Sequence, residues 1–200
     1  MSSERAFWRW FEANEERFRT LSRDEVSGAV DAIVEHVQAY CDQLWALLGR
    51  DPDGSCELII TADGNAKYFG AVRRLVSAAP ILSGWKFVAL KPAQGFGFRG
   101  EHDGITFDPA EMWFLPLESA ENAASVGIRV AVPGYSDDRR VNFIFGVRIA
   151  LEMGLGEMAV ATKLDYVDVC ALPLDPSAAG MLRLTNLPEY LESCERQSGT

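Results

Sequence analysis

Histidine and cysteine are scarce in this chain of 200 residues. Only two histidines, His36 and His102, and four cysteines occur, and no two cysteines form a C-x-x-C pair. These numbers leave few ways to build a His-based metal site or a Ser-His-Asp triad, and they give no spacing typical of structural zinc. We therefore expect no metal and no cofactor, and we interpret the cysteines as reduced structural thiols of a cytoplasmic protein.

Long apolar runs and an excess of positive charge are absent as well. Residues 124–135 are the most apolar stretch, yet Arg129 and Pro133 interrupt it, so no run approaches the roughly 18 residues that cross a bilayer. The amphipathic first 18 residues contain no apolar run typical of a secretory signal. A net charge of −10, from 29 acidic and 19 basic residues, repels phosphate backbones and anionic lipids. We expect a soluble protein that binds neither membrane nor nucleic acid.

The composition that remains, 48% hydrophobic and 24% charged, is that of one globular domain spanning residues 1–200. Within it we predict a helical pair over 1–50, an α+β core over 55–175 and a tail over 176–200 with a short helix. The first helix carries an aromatic stripe. A capping box, Ser22 to Glu25, begins the second helix, whose apolar spacing continues to Leu47 and stops at Gly49.

Beyond residue 50 the pattern predicts strands separated by two helices. Residues 57–62 and 85–90 are apolar strands on either side of a helix that Asn65 caps, which makes a β-α-β unit. Further strands are predicted at 105–107, 111–117 and 126–132, then a helix from 136 to about 154, then a strand or strand pair over 157–164 and 166–172. We predict an α+β fold with a mixed, largely antiparallel sheet of about five strands in β-α-β-β-β-α-β order. It has a ferredoxin-like tendency, and the helical pair packs on it.

The segment Gly95–Gly100 matches G-x-G-x-x-G, but its context is not that of a nucleotide-binding loop. The motif follows the second strand of the core and precedes a turn and a strand, so no helix N-terminus faces a phosphate. We interpret the glycines as a flexible connection. Its Phe96 and Phe98 either fold onto the sheet or contact a partner.

The turn after the first strand of the core is the best-placed ligand candidate. There Asp63, Gly64 and Asn65 lie between a strand and a helix, where free backbone amides sit beside polar side chains. The alternative is purely structural: Gly64 adopts a left-handed turn and Asn65 caps the helix. Both interpretations stay open.

Four more charged residues join the candidate ligand set. Lys86 and Lys91 flank the next strand, and Glu152 and Glu157 surround a two-glycine turn. Alternatively, the lysines are solvated, and the carboxylates pair with Arg139, Arg140 or Arg148 in a structural network. No residue is assigned a catalytic role.

Three stretches carry a resemblance to a known family: "FWRWFEANEERF", "ELIITADGNAKYFGAVRRLVSAAPILSGWKFVALKP" and "GLGEMAVATKLDYVDV". Over most of residues 6–173 the chain resembles a bacterial family of small cytoplasmic α+β proteins of unknown function. The Leu151-Glu152 pair is similar to an acidic position in that family. Lys91-Pro92 is followed by Ala93 where the family shows a more basic ending. The resemblance implies the fold class and no activity.

Two classes of function remain. The first is a binding or regulatory module, favoured by the Phe-bearing glycine loop and the acidic surface. The alternative is an enzyme or small-ligand sensor with a polar pocket at the 61–65 turn. The expected partner is another protein or a second copy of this chain. A homodimer would bury large apolar side chains that lie off the helical seams, which are Trp8, Trp45, Trp113, Phe96 and Phe98.

Overall fold

The computed structural model describes residues 3–51, 53–117 and 126–198, and the chain falls into two compact units, Met1–Lys91 and Pro92–Thr200. Helices and mixed, mostly antiparallel sheets together confirm the α+β class. The two units are described separately below, and the prediction of a single domain stays a prediction.

In its described residues, the first unit contains three α-helices and three strands. They are α1 Glu4–Arg19, α2 Val26–Tyr40, β1 Trp45–Arg50, β2 Cys56–Thr61, α3 Phe69–Ser77 and β3 Trp85–Ala89. Ser3 caps α1 through its side chain, and the predicted capping box of Ser22 and Glu25 is present ahead of α2. β2 pairs antiparallel with β1 and parallel with β3, so β2, α3 and β3 form the predicted β-α-β unit.

The prediction that residues 45–50 continue the second helix is wrong. α2 ends at Tyr40, Cys41 is extended, and Trp45–Arg50 pairs along its whole length with β2. The apolar run "LWALL" fits the spacing of a helix and of a strand equally well. Its burial alternates as in a strand, with Ala46 buried and Trp45 and Leu47 exposed. The full ladder with β2 satisfies the backbone of this segment, which decides in favour of the strand.

Aromatic side chains fill the core of the first unit. Phe7, Trp8 and Phe11 of α1 are buried, and Trp8 and Phe11 lie edge-on to Phe87 of β3. The Trp8 indole donates a hydrogen bond to the Leu75 carbonyl of α3 at 2.7 Å, which satisfies its one polar atom. Trp8 therefore belongs to the core, which corrects its expected place on the back of the helix.

The second unit holds the remaining elements. They are β4 Gly100–His102, β5 Ile105–Phe107, β6 Trp113–Leu117, β7 Val126–Val132, α4 Arg140–Leu155, α5 Glu157–Lys163, β8 Leu164–Ala171, β9 Leu182–Arg183 and α6 Leu187–Ser198. β4 and β5 form a hairpin. Its turn, Asp103-Gly104, has positive φ at both residues, which is the turn geometry that matches the right-handed twist of the strands. A second sheet has the order β8-β7-β6-β9, in which β7 and β8 run parallel.

Two strand predictions need correction. Residues 157–163 are helix α5 and not a strand. Gly156 has a φ of 82° and ends α4, and the chain then begins a second short helix, Glu157–Lys163. The described strands lie in three sheets of three, two and four strands and do not form one five-stranded sheet, so the ferredoxin-like order does not occur.

The core of the second unit depends on glycines in α4 that admit aromatic rings. A Cβ on Gly146 would overlap the Phe107 ring, and one on Gly154 would overlap the Phe96 ring. Phe96 is buried and Phe98 packs partly buried against the same cluster. The sequence left open whether the phenylalanines of the glycine loop fold inward or contact a partner, and the ring of Phe96 folds inward.

Candidate functional site

The candidate turn of the first unit lies at the carboxyl end of two parallel strands. Because β2 and β3 run parallel, the residues that follow them meet at one edge of the sheet. Asp63 follows β2, Lys91 follows β3, and their side chains form an ion pair of 2.8 Å. The structure thus brings together two of the predicted ligand candidates. In sheets of parallel strands this edge is where ligands bind.

The backbone at this edge is unusual. Asp63 and Leu90 have φ values of 50° and 68°, in the left-handed region that residues other than glycine rarely adopt. The buried Thr61 hydroxyl accepts a hydrogen bond from the Asp63 amide, and the Leu90 amide donates to the Ile60 carbonyl. Such conformations cluster at functional sites because surrounding contacts must hold them.

The structural roles predicted for the other two turn residues are present. Gly64 has a φ of 79°, which is the predicted left-handed turn. Asn65 Oδ1 accepts a hydrogen bond of 3.3 Å from the Lys67 amide and so caps the short 3-10 turn Ala66–Tyr68. Binding of a ligand by Asp63, Gly64 and Asn65 stays a prediction.

Lys86 lies at the opposite end of the sheet. It pairs in register with Glu57 near the start of β2, and its ammonium contacts the carboxylates of Asp51 and Asp53. These hydrogen bonds raise the pKa of Lys86, and they lower the pKa of Asp53 well below its usual range. No sequence pattern indicated that the turn before β2 supplies both acids. Lys86 and Lys91 therefore do not share a site.

A groove of about 460 Å³ opens at the edge where α2 ends and α3 begins. Trp45, the first residue of β1, pairs with Thr61, the last residue of β2, so the end of α2 approaches the carboxyl end of β2. The residues that line the groove come from three helix ends and are Glu4, Tyr40, Cys41, Lys67, Tyr68, Gly70, Ala71 and Arg74.

The polar groups of the groove are electrostatically linked. The Tyr40 hydroxyl donates to Glu4 Oε1 at 3.1 Å. Burial raises the pKa of Tyr40 above its ordinary value, and Glu4 adds to the rise, while Arg74 opposes it. The pKa of Glu4 is lowered by a backbone hydrogen bond at the start of α1 and then by Tyr40. Lys67 Nζ lies 5.3 Å from the centroid of the Tyr68 ring.

None of these groove residues was a predicted site residue. Tyr40 occupies an apolar position in the spacing of α2, and Lys67 and Arg74 are ordinary helix-surface residues by pattern. The available signal was indirect: Lys67 and Tyr68 follow directly on the candidate turn.

The two carboxylate candidates lie in the second unit and are buried. Glu152 and Glu157 are 5% and 0% exposed. Arg148 donates from Nε to Glu152 Oε1 at 3.1 Å, one of the pairings expected for a structural network. The other two arginines pair elsewhere: Arg139 with the Asp103 carbonyl and Arg140 with Asp168.

An exposed apolar stripe runs along α4 of the second unit. We call it the α4 stripe: Val141, Ile144, Phe145 and Ile149, which are 64%, 37%, 53% and 46% exposed. The opposite face of the same helix, with Phe143, Val147 and Leu151, is buried in the core. Helical spacing therefore places apolar residues on both faces of α4, and the face that carries the α4 stripe stays partly exposed.

Two kinds of feature were not found in the part of the chain that is described, a metal-ligand cluster and a membrane-spanning helix. Over residues 3–51, 53–117 and 126–198, no group of three or more His, Cys, Asp or Glu side chains is placed to hold a metal ion. Within those same ranges, no helix combines the length and apolar character needed to span a membrane. All four cysteines are free thiols.

Comparison with known proteins gives no relative. No family model matches the chain, and no curated protein or solved structure is significantly similar to it.

Proposed function

We propose that this chain is a binding or regulatory module of the cytoplasm that self-associates weakly through the α4 stripe. The observation that carries this proposal is the exposure of four large apolar side chains on one face of a 16-residue helix. Contiguous apolar patches of this kind mark interaction surfaces on soluble proteins. The resemblance to a bacterial family of unknown function is consistent with this proposal.

The stripe has the spacing of a helix-packing surface. Val141, Phe145 and Ile149 recur every four residues, and Ile144 widens the row. Rows at this spacing form the ridges that pack into the grooves of another helix. Two such rows can bury each other, whereas each alone leaves apolar area in water at a cost of about 25 cal/mol per Å².

A second copy of the chain is the occupant that the charges favour. The exposed Asp138 lies one turn before Val141, and Arg148, whose Nε also contacts Glu152 Oε1, lies near the other end of the stripe. A two-fold axis perpendicular to α4 would pair the helices antiparallel and bring Asp138 of each copy to the end of the other helix that carries Arg148. The charges at the two ends of the stripe are therefore complementary to a second stripe.

The size of the stripe indicates a weak dimer. Four half-exposed side chains form a patch of a few hundred Å², about half of the roughly 800 Å² per partner in a standard stable interface. We expect a dissociation constant on the order of 10 to 100 µM.

Sedimentation of the full chain from about 1 to about 300 µM tests the proposal. We expect the mass to rise from 22.1 kDa toward twice that value, and the double variant Phe145→Ser, Ile149→Ser to remain at one chain. The matched control is Leu174→Ser, because Leu174 is fully exposed and lies outside the stripe. A mass of one chain at every concentration would refute self-association and leave the stripe to a different partner.

A second candidate, a small-ligand sensor or enzyme at the 61–65 turn, is favoured by the left-handed Asp63 and Leu90 at adjacent strand ends. The polar groups there are paired, so a ligand would have to exchange partners with the Asp63–Lys91 ion pair. Asp63→Asn tests this candidate by removing the charge while keeping a residue that tolerates the left-handed region. Unchanged ligand binding in that variant would exclude Asp63 as a contact.

A further inference from the structure

The groove at the ends of α1, α2 and α3 combines a net positive charge with aromatic walls. Lys67 and Arg74 supply two positive charges against the single negative charge of Glu4, in a chain whose net charge is −10. Within the described residues, Lys67 and Arg74 form no ion pair at 4.0 Å or less, although Arg74 also interacts with Tyr40 and, at longer range, with Glu4. A small patch of positive charge on an acidic protein attracts small anions locally, whereas the rest of the surface repels large ones.

The aromatic walls favour a ligand with a flat ring. Tyr40 and Tyr68 are half-buried and line the groove, and Lys67 already lies over the Tyr68 ring. Rings stack on such walls with offset or edge geometry. The groove volume, about 460 Å³, falls within the range that holds a small organic molecule.

Gly70 keeps the groove open. It is exposed on α3, and a Cβ there would meet only the tip of Arg74, at 3.4 Å. A small substitution would therefore fit, whereas a large side chain at this position would project into the groove. Glycine costs an α-helix about 1 kcal/mol relative to alanine, so helix propensity does not explain its presence at this position.

We infer that this groove binds a small organic anion that carries a planar aromatic ring. Lys67 and Arg74 contact the acidic group, and Tyr40 and Tyr68 contact the ring. The site belongs to the first unit and does not involve the α4 stripe, so its test is independent of self-association.

Binding is measured by calorimetry and by ligand-observed NMR on the full chain at probe concentrations up to about 5 mM. The probes are indole-3-acetate, for a carboxylate, and adenosine 5′-monophosphate, for a phosphate. Neutral indole-3-acetamide and inorganic phosphate separate the contributions of charge and ring. We expect one of the two anionic aromatic probes to bind at least about tenfold more tightly than both controls.

Variants locate the binding. Lys67→Gln with Arg74→Gln should weaken the anionic probe about tenfold or more and leave the neutral amide unchanged. Gly70→Phe should abolish binding by filling the groove. Gly28→Phe is its matched control, because Gly28 is also exposed on a helix of the first unit and a Cβ there would have no neighbour within 4 Å. Circular dichroism of each variant verifies the fold.

Three results would overturn the inference. One is the absence of binding by either anionic aromatic probe at about 5 mM. Another is binding that Gly70→Phe and Gly28→Phe leave equally intact, since the ligand would then occupy another place. Tighter binding of inorganic phosphate than of both aromatic anions would also contradict it, because the rings would contribute nothing.

Discussion

Both units contain a pair of parallel strands joined by helix, yet the outer faces of the joining helices differ. α3 connects β2 to β3 and presents Arg73, Arg74 and Ser77 to solvent. α4, which leads with α5 from β7 to β8, presents the α4 stripe. The same local architecture thus works with a charged outer face, so the fold does not require apolar residues there. The apolar outer face of α4 therefore favours a surface that a partner covers.

The ends of the parallel strands differ as well. In the second unit the turn after β7 uses Gly134 at a φ of 70°, where glycine has no steric cost. In the first unit Asp63 and Leu90, neither of them a glycine, adopt left-handed conformations after β2 and β3. Backbone strain thus lies after the parallel strands of the unit that also holds the groove. This favours a ligand role for the first unit.

The largest effect is expected at the buried glycine of α4, compared with the exposed glycine of α3. Gly146→Ala in α4 would place a Cβ inside the buried Phe107 ring, so we expect a loss of about 3 kcal/mol or more in the free energy of unfolding. Gly70→Ala in α3 meets only the Arg74 tip and should be neutral or stabilise by up to about 1 kcal/mol. Urea denaturation measures both. A loss at Gly146 no larger than that at Gly70 would show that the Phe107 ring does not fill the space beside Gly146.

A smaller effect is expected at a buried carboxylate of the second unit. Asp168 is 8% exposed and accepts hydrogen bonds from Arg129 at 2.9 Å and Arg140 at 2.6 Å. Burial alone would raise the pKa of Asp168, but the Val169 amide and the two arginines outweigh it and lower that pKa. The two guanidinium groups are partly exposed, so Asp168→Asn should cost about 1 to 3 kcal/mol at pH 7.

The pH dependence of this contribution has a definite sign. Because the folded pKa of Asp168 is below the unfolded value of about 3.9, its stabilisation is complete above that value and is lost as pH falls through the folded pKa. The difference in stability between wild type and Asp168→Asn should therefore shrink below about pH 4. A difference that stays constant from pH 7 to about pH 2.5 would contradict the assignment.

The smallest effect is expected at the exposed ion pairs of the first unit. Lys86 contacts Asp51 and Asp53 at the surface, where water and salt screen the charges. We expect Lys86→Ala to leave the urea midpoint unchanged at about 0.15 M salt. A clear shift of that midpoint would show that this acidic turn contributes to the fold beyond surface pairing.

Sequence patterns predicted the elements that have one dominant period. Spacing and caps alone predicted four such features: α1, the β2-α3-β3 unit, β7, and the start near Ser136 of the helical region that becomes α4. "LWALLG" and "EMAVATK" were assigned wrongly because each run suits both helix and strand, and pairing with β2 or the break at Gly156 decided the outcome. The α4 stripe and the groove depend on which face is covered, which only tertiary packing determines.

Site-directed cross-linking of α4 tests the central claim, self-association through an antiparallel stripe, most directly. Ile144→Cys lies near the proposed two-fold axis and should form a disulfide-linked dimer under mild oxidation. Val141→Cys and Ile149→Cys should cross-link efficiently only when the two variants are mixed. The unmodified chain, with its four free thiols, provides the background. Cross-linking of Val141→Cys with itself, or no dimer above background in any variant at about 300 µM, would contradict the proposed pairing.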